Sequence, residues 1–365
     1  MIIKEYNKSD LKEALKNNSL WEGDVFPITK HRLISHLHNP RASEDDVLLT
    51  ISFDDNNFIN GYIGTLPDYI YTNSGEQKIA WFSTWWVKPN DKNSNIIGSM
   101  LFENAMKSYD NNIGVSGFAP SVEKVYKASR KFISLKKLKC KIIYVGSPIK
   151  NLKLIKHPKL SSLYFALSIF DFFINLFMKI KVRSLKIPKD YSLEYINEID
   201  NETSEIIKPF LKNELTKRSK QELDWILKYP WLVNSKDYTE NEKYYFSSSA
   251  KNTETFGLKI KGNDNSILAF LILFKRDENL KLSYSYFKKE HSNIVLKVLS
   301  KECINRKTGI LHINNNDLIN IINKSNIPNF FSTDIIRKSL ISKNYKNDLP
   351  DSFILQPGDG DCAFT

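Results

Sequence analysis

Between Trp85 and Met106 the chain reads WWVKPNDKNSNIIGSMLFENAM: a strand that meets a proline, a polar loop, and a helix opening on Gly98-Ser99. The first N–H groups of a helix have no partner inside it, and the helix dipole adds partial positive charge there. Such a start is a ready site for a pyrophosphate. Asn95, Ile97, Gly98 and Ser99 stand where those amides would lie, and Trp85, Trp86 and Val87 close the strand before them. Alternate residues of a strand face opposite ways, so the two tryptophans are expected to divide between a core and the wall of a cleft.

In the order of these features the segment resembles the GNAT acyltransferases. In that family a strand ending Val-x-Pro runs into an Arg/Gln-x-x-Gly-x-Gly/Ala loop around the CoA pyrophosphate. Val87 and Pro89 match the strand end, and Asn93-Ser94-Asn95-Ile96-Ile97-Gly98 takes the place of the loop. Only the last glycine is kept. Asn93 replaces the basic or amide residue and Ile96 the first glycine, and a side chain at Ile96 restricts close backbone approach. Downstream, SVEKVYKASRKF (Ser121–Phe132) is similar to the family's next helix, with Val125-Tyr126 in place, Phe132 one residue late and the glycine missing. The resemblance covers roughly residues 1–145. It implies acetyl-CoA or another acyl-CoA as co-substrate, no metal, and Tyr126 beside the thioester sulfur, where a phenol can protonate the departing thiolate. The amine attacks the thioester directly, so a base, an oxyanion donor and orientation are needed. His36 and Asp68 are the candidate bases. Trp21, Arg32, Ser83 and Asp361 are the candidate contacts to an acceptor, expected to be an amino sugar or similar small amine.

Other chemistries find little support. Cys140, Cys303 and Cys362 are far apart, without the spacing of a zinc site or a disulfide framework, which suits a reducing, cytoplasmic setting. No apolar leader opens the chain. The tail QPGDGDCAFT has the acidity of a calcium loop but neither its length nor its closing Glu. It reads as a polar turn or, at Asp361, as an acid reaching a cleft. The net charge of +12 comes from scattered lysines. It fits a solvated surface or an anionic partner such as CoA phosphates, and no nucleic-acid module accompanies it.

The elements that must position these residues form two series. Helix Ser9–Asn17, strands Val47–Ser52, Phe58–Thr65 and Lys78–Lys88, helix Ile97–Tyr109, strand Ile113–Gly117, helix Val122–Phe132 and strand Lys141–Val145 make the first, residues 1–150. The second, 190–365, begins with strand Leu193–Ile196 and one or two helices within Glu202–Lys228. Strands Lys243–Ser248, Thr255–Ile260, Ile267–Phe274 and Lys281–Phe287 follow, then helix Ser292–Asn305, strand Ile310–Ile313, helix Asp317–Lys324 and strand Ser352–Leu355. The expected fold is α/β with mixed, mostly antiparallel sheets flanked by helices, in two GNAT-like domains, the second degenerate. Between them, 151–189 holds the most apolar run, Leu163–Met178, with lysines at Lys153, Lys156, Lys159, Lys179 and Lys181. Interrupted by Asp171 and Asn175, it is expected to be a helix mostly buried against protein. The alternative is peripheral contact with a membrane surface. The whole pattern resembles tandem GNAT-like proteins encoded with bacterial surface-polysaccharide enzymes. A Fem-type aminoacyl transferase using aminoacyl-tRNA, or a GNAT-derived binding protein, is the competing reading.

Overall fold

The computed structural model describes residues 1–146, 163–188, 190–237, 243–322, 324 and 327–364. Lys153, Lys156 and Lys159 lie outside them.

The chain forms two compact units, and these are not its two halves. Residues 1–137, 197–253 and 338–365 make the first, and 138–196 with 254–337 the second. Each is a mixed, mostly antiparallel sheet flanked by helices.

In the first unit, strand β1 (Ile2–Asn7) leads into helix α1 (Lys8–Asn17), capped by Asn7. The Asn7 side chain accepts from the Asp10 amide and the Asp10 carboxylate accepts from the Asn7 amide, a reciprocal box. Helix α2 (Lys30–Leu37) follows, then β2 (Val47–Phe53), a long hairpin of β3 (Ile59–Thr72) and β4 (Gly75–Val87), and helix α3 (Ser94–Lys107). Strand β5 (Ile113–Val115) and helix α4 (Pro120–Ser129) come next. The strand order here is β1-β2-β3-β4-β5-β14, with β4 interior. Strand β14 (Phe331–Ser342), of which Lys338–Ser342 belongs to this unit, comes from far along the chain and pairs antiparallel with β5 at Leu340↔Val115 and Ile341↔Gly114. Helices α6 (Asn201–Leu211) and α7 (Lys220–Lys228) also belong to this unit. The indoles of Trp225 and Trp231 donate to the Ser35 carbonyl (2.7 Å) and the Ser35 hydroxyl (3.0 Å), which ties them to α2.

The second unit has the order β6-β13-β12-β11-β10-β7, from β6 (Phe132–Tyr144), β7 (Ser192–Ile196), β10 (Thr253–Lys261), β11 (Ile267–Arg276), β12 (Asn279–Phe287) and β13 (Ile310–Ile313). Helix α8 (Ser292–Asn305) buries Val295, Leu299 and Cys303 on it, and α9 (Asn316–Ile322) adds Leu318. Among the described residues each unit includes a parallel pair of long strands joined through a helix, β4–β5 through α3 and β12–β13 through α8.

Three expectations are corrected. Residues 243–248 form no strand; only β8 (Val233–Asn234) and β9 (Ser249–Ala250) pair nearby. Ser352–Leu355 contributes a single bridge, Glu214↔Ile354. The apolar run is helical, as α5 (Tyr164–Arg183), but is not mostly buried: Asp171, Met178 and Val182 are its buried residues. It is apolar almost all round, so composition marks no inward stripe, and only one narrow stripe finds a partner.

Candidate active site

The pairing of β3 with β4 slips by one residue. Gly64 faces Thr84 and Thr65 faces Phe82, which leaves Ser83 as an extra residue, a β-bulge. Gly64 is needed there, because a Cβ would come within 2.7 Å of the Thr84 hydroxyl and 2.8 Å of the Ser83 hydroxyl. The slip re-aims every side chain beyond it. Phe82 and Trp85, three apart, share one core with Phe102 and Tyr126, whereas Trp86 stacks on Tyr62 across the sheet at 5.3 Å. The two tryptophans thus face opposite sides of the sheet, Trp86 in one core and Trp85 packed against the other.

On its other edge β4 runs parallel to β5 only from Ala80 to Phe82, against Ile113 to Val115. β5 then ends, and among the described residues no strand pairs with Ser83–Val87 on that side. Two parallel strands that part in this way leave unmatched N–H and C=O groups, onto which an extended ligand can add like another strand.

At the mouth of this opening stands the start of α3. Its cap residue Asn93 makes no side-chain capping bond, and no acid lies in the first turn. Asn95 and Ser99 are exposed; Ile97 is buried, so only its backbone can serve a ligand. Gly98 faces the end of β4, where an added Cβ would have Val87 Cγ2 at 3.6 Å and the Trp85 ring at 3.7 Å, ordinary contacts. The Trp85 indole Nε1 is buried beside it without a hydrogen-bond partner among the described residues. Buried donors are almost always satisfied, so an orphan here suits an acceptor atom of a bound molecule.

Tyr126, on α4, sits in an aromatic box, edge-on to Phe118 (5.7 Å) and Phe132 (5.4 Å) and about 6 Å from Trp85. Burial first, and then the charge of Asp361, push its phenol well above the ordinary range, so it keeps its proton. Asp361 lies in a tight turn, Gly360–Ala363, and accepts from the Ser116 hydroxyl at 2.7 Å, one residue past β5. The approach is close: Gly360 has φ +71°, and a Cβ there would fall 2.4 Å from the Ser116 hydroxyl.

A buried ionic network fixes that turn. Asp359 accepts from the Thr216 hydroxyl (2.8 Å) and its own Gln356 amide (2.8 Å), and pairs with Arg218 (3.4 Å). Arg218 reaches Asp68 (2.8 Å), Asp68 pairs with Arg41 (2.5 Å), and Arg41 with Glu222 (3.1 Å). The Trp81 indole completes the Asp68 shell at 2.8 Å. Asp68 is therefore no free base. Burial alone would raise its pKa, but the Arg218 and Arg41 charges, with hydrogen bonds from Arg41 and Trp81, hold it below the usual value. Its lone pairs are committed to structure.

His36 is corrected too. It is buried and stacked on Trp231 at 5.0 Å, and burial, with Arg32 adding to it, keeps its pKa well below the ordinary value. Neither ring nitrogen has a partner among the described residues, and no carboxylate orients the ring. Arg32 gives Nη1 to the Tyr244 hydroxyl (3.0 Å) and lies 3.7 Å over the Trp231 ring, with Nη2 buried and without a partner among the described residues. Trp21 is a core residue whose indole donates to the Ile28 carbonyl at 2.9 Å. Ser83, at the bulge, keeps a buried hydroxyl without a partner among the described residues. The structure thus gathers Ser83, Trp85, Gly98, Tyr126 and Asp361 around the parting of β4 and β5. Trp21, Arg32 and His36 belong to the packing of α2, and Asp68 to the ionic network. Sequence reading passed over Arg41, Arg218 and Glu222, because a charge bound for the interior looks in sequence like any surface charge, and over Ser116, which carries no local signal. Among the described residues no three His, Cys, Asp or Glu side chains are grouped to hold a metal ion.

No family profile and no curated protein matches the sequence. Solved structures do resemble it. Saccharomyces cerevisiae N-myristoyltransferase with bound myristoyl-CoA aligns over 93% of this chain and 82% of its own, at 9% identity and TM-score 0.51. A second structure of that enzyme aligns over 93% and 78%, at 11% identity and TM-score 0.51. A GCN5-related N-acetyltransferase from Anabaena variabilis aligns over 93% and 72%, at 9% identity and TM-score 0.48. At such identities the likeness to the yeast enzyme is one of fold.

Proposed function

We propose that this protein is an acyl-CoA-dependent N-acyltransferase, with its donor site in the first unit where β4 and β5 part. The observation that carries the reading is the conjunction at the end of β4. A bulge, an open backbone edge and an orphaned buried Trp85 Nε1 meet the uncapped start of α3. Yeast N-myristoyltransferase, which shares the fold, is described with an acyl-CoA bound. That adds weight to a CoA thioester as the ligand.

In this reading the pantetheine arm adds to the edge of Ser83–Val87 and the pyrophosphate meets the amides of Asn95–Ser99. The acyl group, taken to be acetyl, lies near Ser83 with its carbonyl oxygen toward open edge N–H groups. A neutral amine attacks the carbonyl carbon, the C–N bond forms, and the C–S bond breaks. The thiolate takes the Tyr126 proton, the proton shed by the new amide nitrogen passes to solvent or to Asp361, and the Tyr126 phenolate regains a proton from solvent. Burial keeps the phenol protonated and also weakens it as an acid, so in this reading it serves first as a hydrogen-bond donor to the departing sulfur, with transfer of the proton coupled to C–S cleavage. Asp361, at the same opening, is placed to attract an ammonium group, which suits an amino sugar or similar small amine, with a role in surface-polysaccharide assembly as the setting.

Titration calorimetry with acetyl-CoA and longer acyl-CoAs up to myristoyl, followed by backbone NMR, tests the reading. Saturable binding that shifts the signals of Trp85–Leu101 supports it. Acyl-CoA at millimolar concentration leaving those signals unmoved removes the donor site and the enzyme reading with it.

A further inference from the structure

Helix α5 presents an apolar face to solvent. Phe165 is 76% exposed, Phe172 63%, Phe173 62% and Ile180 60%, and Ile169 and Leu176 are exposed with them. At about 100° of rotation per residue these six fall within a sector about 100° wide, running the ~30 Å length of the helix. The buried residues Asp171, Met178 and Val182 fall on the opposite side, and Val182 joins the core of the second unit. Single exposed apolar residues are ordinary; a continuous stripe of this size calls for an occupant.

The charges beside the stripe identify it. Asp171, the sole acid of the helix, is turned inward. Lys179 and Lys181 lie on either side of the apolar sector, both exposed, and Arg183 and Lys186 continue beyond them. Lys181 lays its ammonium 4.4 Å from the centre of the Phe177 ring, with its stem along apolar surface. A protein partner would favour fewer flanking lysines, since Lys is depleted at protein interfaces. Phenylalanines along the length, cations gathered at the C-terminal end and no outward acid match the acyl–headgroup boundary of an anionic bilayer. No helix among the described residues is long and apolar enough to cross a membrane, so α5 would lie along the surface.

We infer that α5 docks this protein on an anionic lipid surface, with Phe165, Phe172, Phe173, Leu176 and Ile180 entering the acyl boundary and Lys179 and Lys181 meeting the headgroups. This stands apart from the acyl-CoA reading and survives its failure.

The test uses the full chain and vesicle flotation. One set of vesicles is phosphatidylcholine alone and the other contains about a third phosphatidylserine. The protein should float with the anionic set, and at ~0.5 M NaCl, where the Debye length is only about 4 Å, part of the binding should remain. Phe172→Asp/Phe173→Asp should lower anionic-vesicle binding at least about tenfold, and Lys179→Glu about fivefold or more. Both change exposed residues, so the thermal transition should hold, and an unchanged transition qualifies each variant. Failure to float with either set overturns the inference. So does binding that salt abolishes and Phe172→Asp/Phe173→Asp leaves intact, which is charge alone. A concentration-dependent dimer by light scattering, lost in the same double variant, also overturns it and makes a second copy of the chain the occupant.

Discussion

The buried network of the first unit has more acid than base, and Glu214 absorbs the excess. Its Oε1 accepts from the Gln356 amide at 2.6 Å, and Oε2 is buried without a partner among the described residues. Burial, then the charge of Asp359, push its carboxyl up from 4.5 to about 8, against the weaker pull of Gln356 and Arg218. At neutral pH it is protonated. The folded protein then holds a proton that the unfolded chain releases near 4.5, so stability is full below that value and falls as pH rises toward 8. At about 1.36 kcal/mol per unit, the loss between pH 5 and pH 9 is about 4 kcal/mol for this group. Glu214→Gln keeps an acceptor for Gln356 and removes the titration. Urea unfolding of the two proteins at pH 5, 7 and 9, followed by tryptophan fluorescence, checks this, since all six tryptophans lie in the first unit. The wild type should lose midpoint steadily toward pH 9 and the variant should lose much less, so that their curves cross. Parallel pH slopes would refute the assignment, because the carboxyl would then be ionised in the fold or relieved by opening of the site.

Three further outcomes are expected. Gly98→Val should weaken acyl-CoA binding severalfold or more by calorimetry with the melting temperature nearly unchanged, since a Cβ at 98 meets only ordinary contacts at 3.6 Å and beyond. Tyr126→Phe should leave donor affinity alone and lower turnover about 10²-fold, as loss of a general acid does; an unchanged rate in a thiol-release assay would reduce Tyr126 to packing. Asp68→Asn should destabilise by about 3–5 kcal/mol in urea unfolding, because it leaves two buried guanidiniums short of charge; a change below about 1 kcal/mol would mean that water already reaches the pair.

The segment from β4 to α3 was the legible part of this sequence. Pro89 punctuates it, and Ile97, Leu101 and Ala105 recur at helical spacing, so β4 and α3 fell close to their expected bounds. Local signals of that kind survive any tertiary context. The bulge at Ser83 was not legible, because it depends on Gly64 across the hairpin. β14 was missed because FSTDIIRKSLIS mixes charge and apolar residues without clean alternation, and it pairs with a strand more than 200 positions earlier. Residues 243–248 show the reverse error. The aromatics of YYF suggested a strand, yet Tyr244 is held by Arg32, and the Phe26 amide donates to the Lys243 carbonyl at 2.8 Å. Long-range partners decided all three.

The ionic network explains why distant pieces of chain share one unit. Replacing buried ion pairs with apolar residues is often neutral or stabilising, so such pairs are weak evidence for stability as an end in itself. What they provide is geometry. Arg41 follows α2, Asp68 lies on β3, Arg218 precedes α7, and Asp359 opens the terminal turn, and each carboxylate–guanidinium contact has direction as well as strength. Apolar packing would tolerate a shift of that turn by a residue's width, and the pairs would not. With Asp359 fixed, Gly360 passes close to Ser116 and Asp361 is set within 2.7 Å of the Ser116 hydroxyl. Asp68, read from sequence as a base, thus acts at one remove: it fixes the arginine that fixes the turn that carries Asp361 to the opening of the sheet.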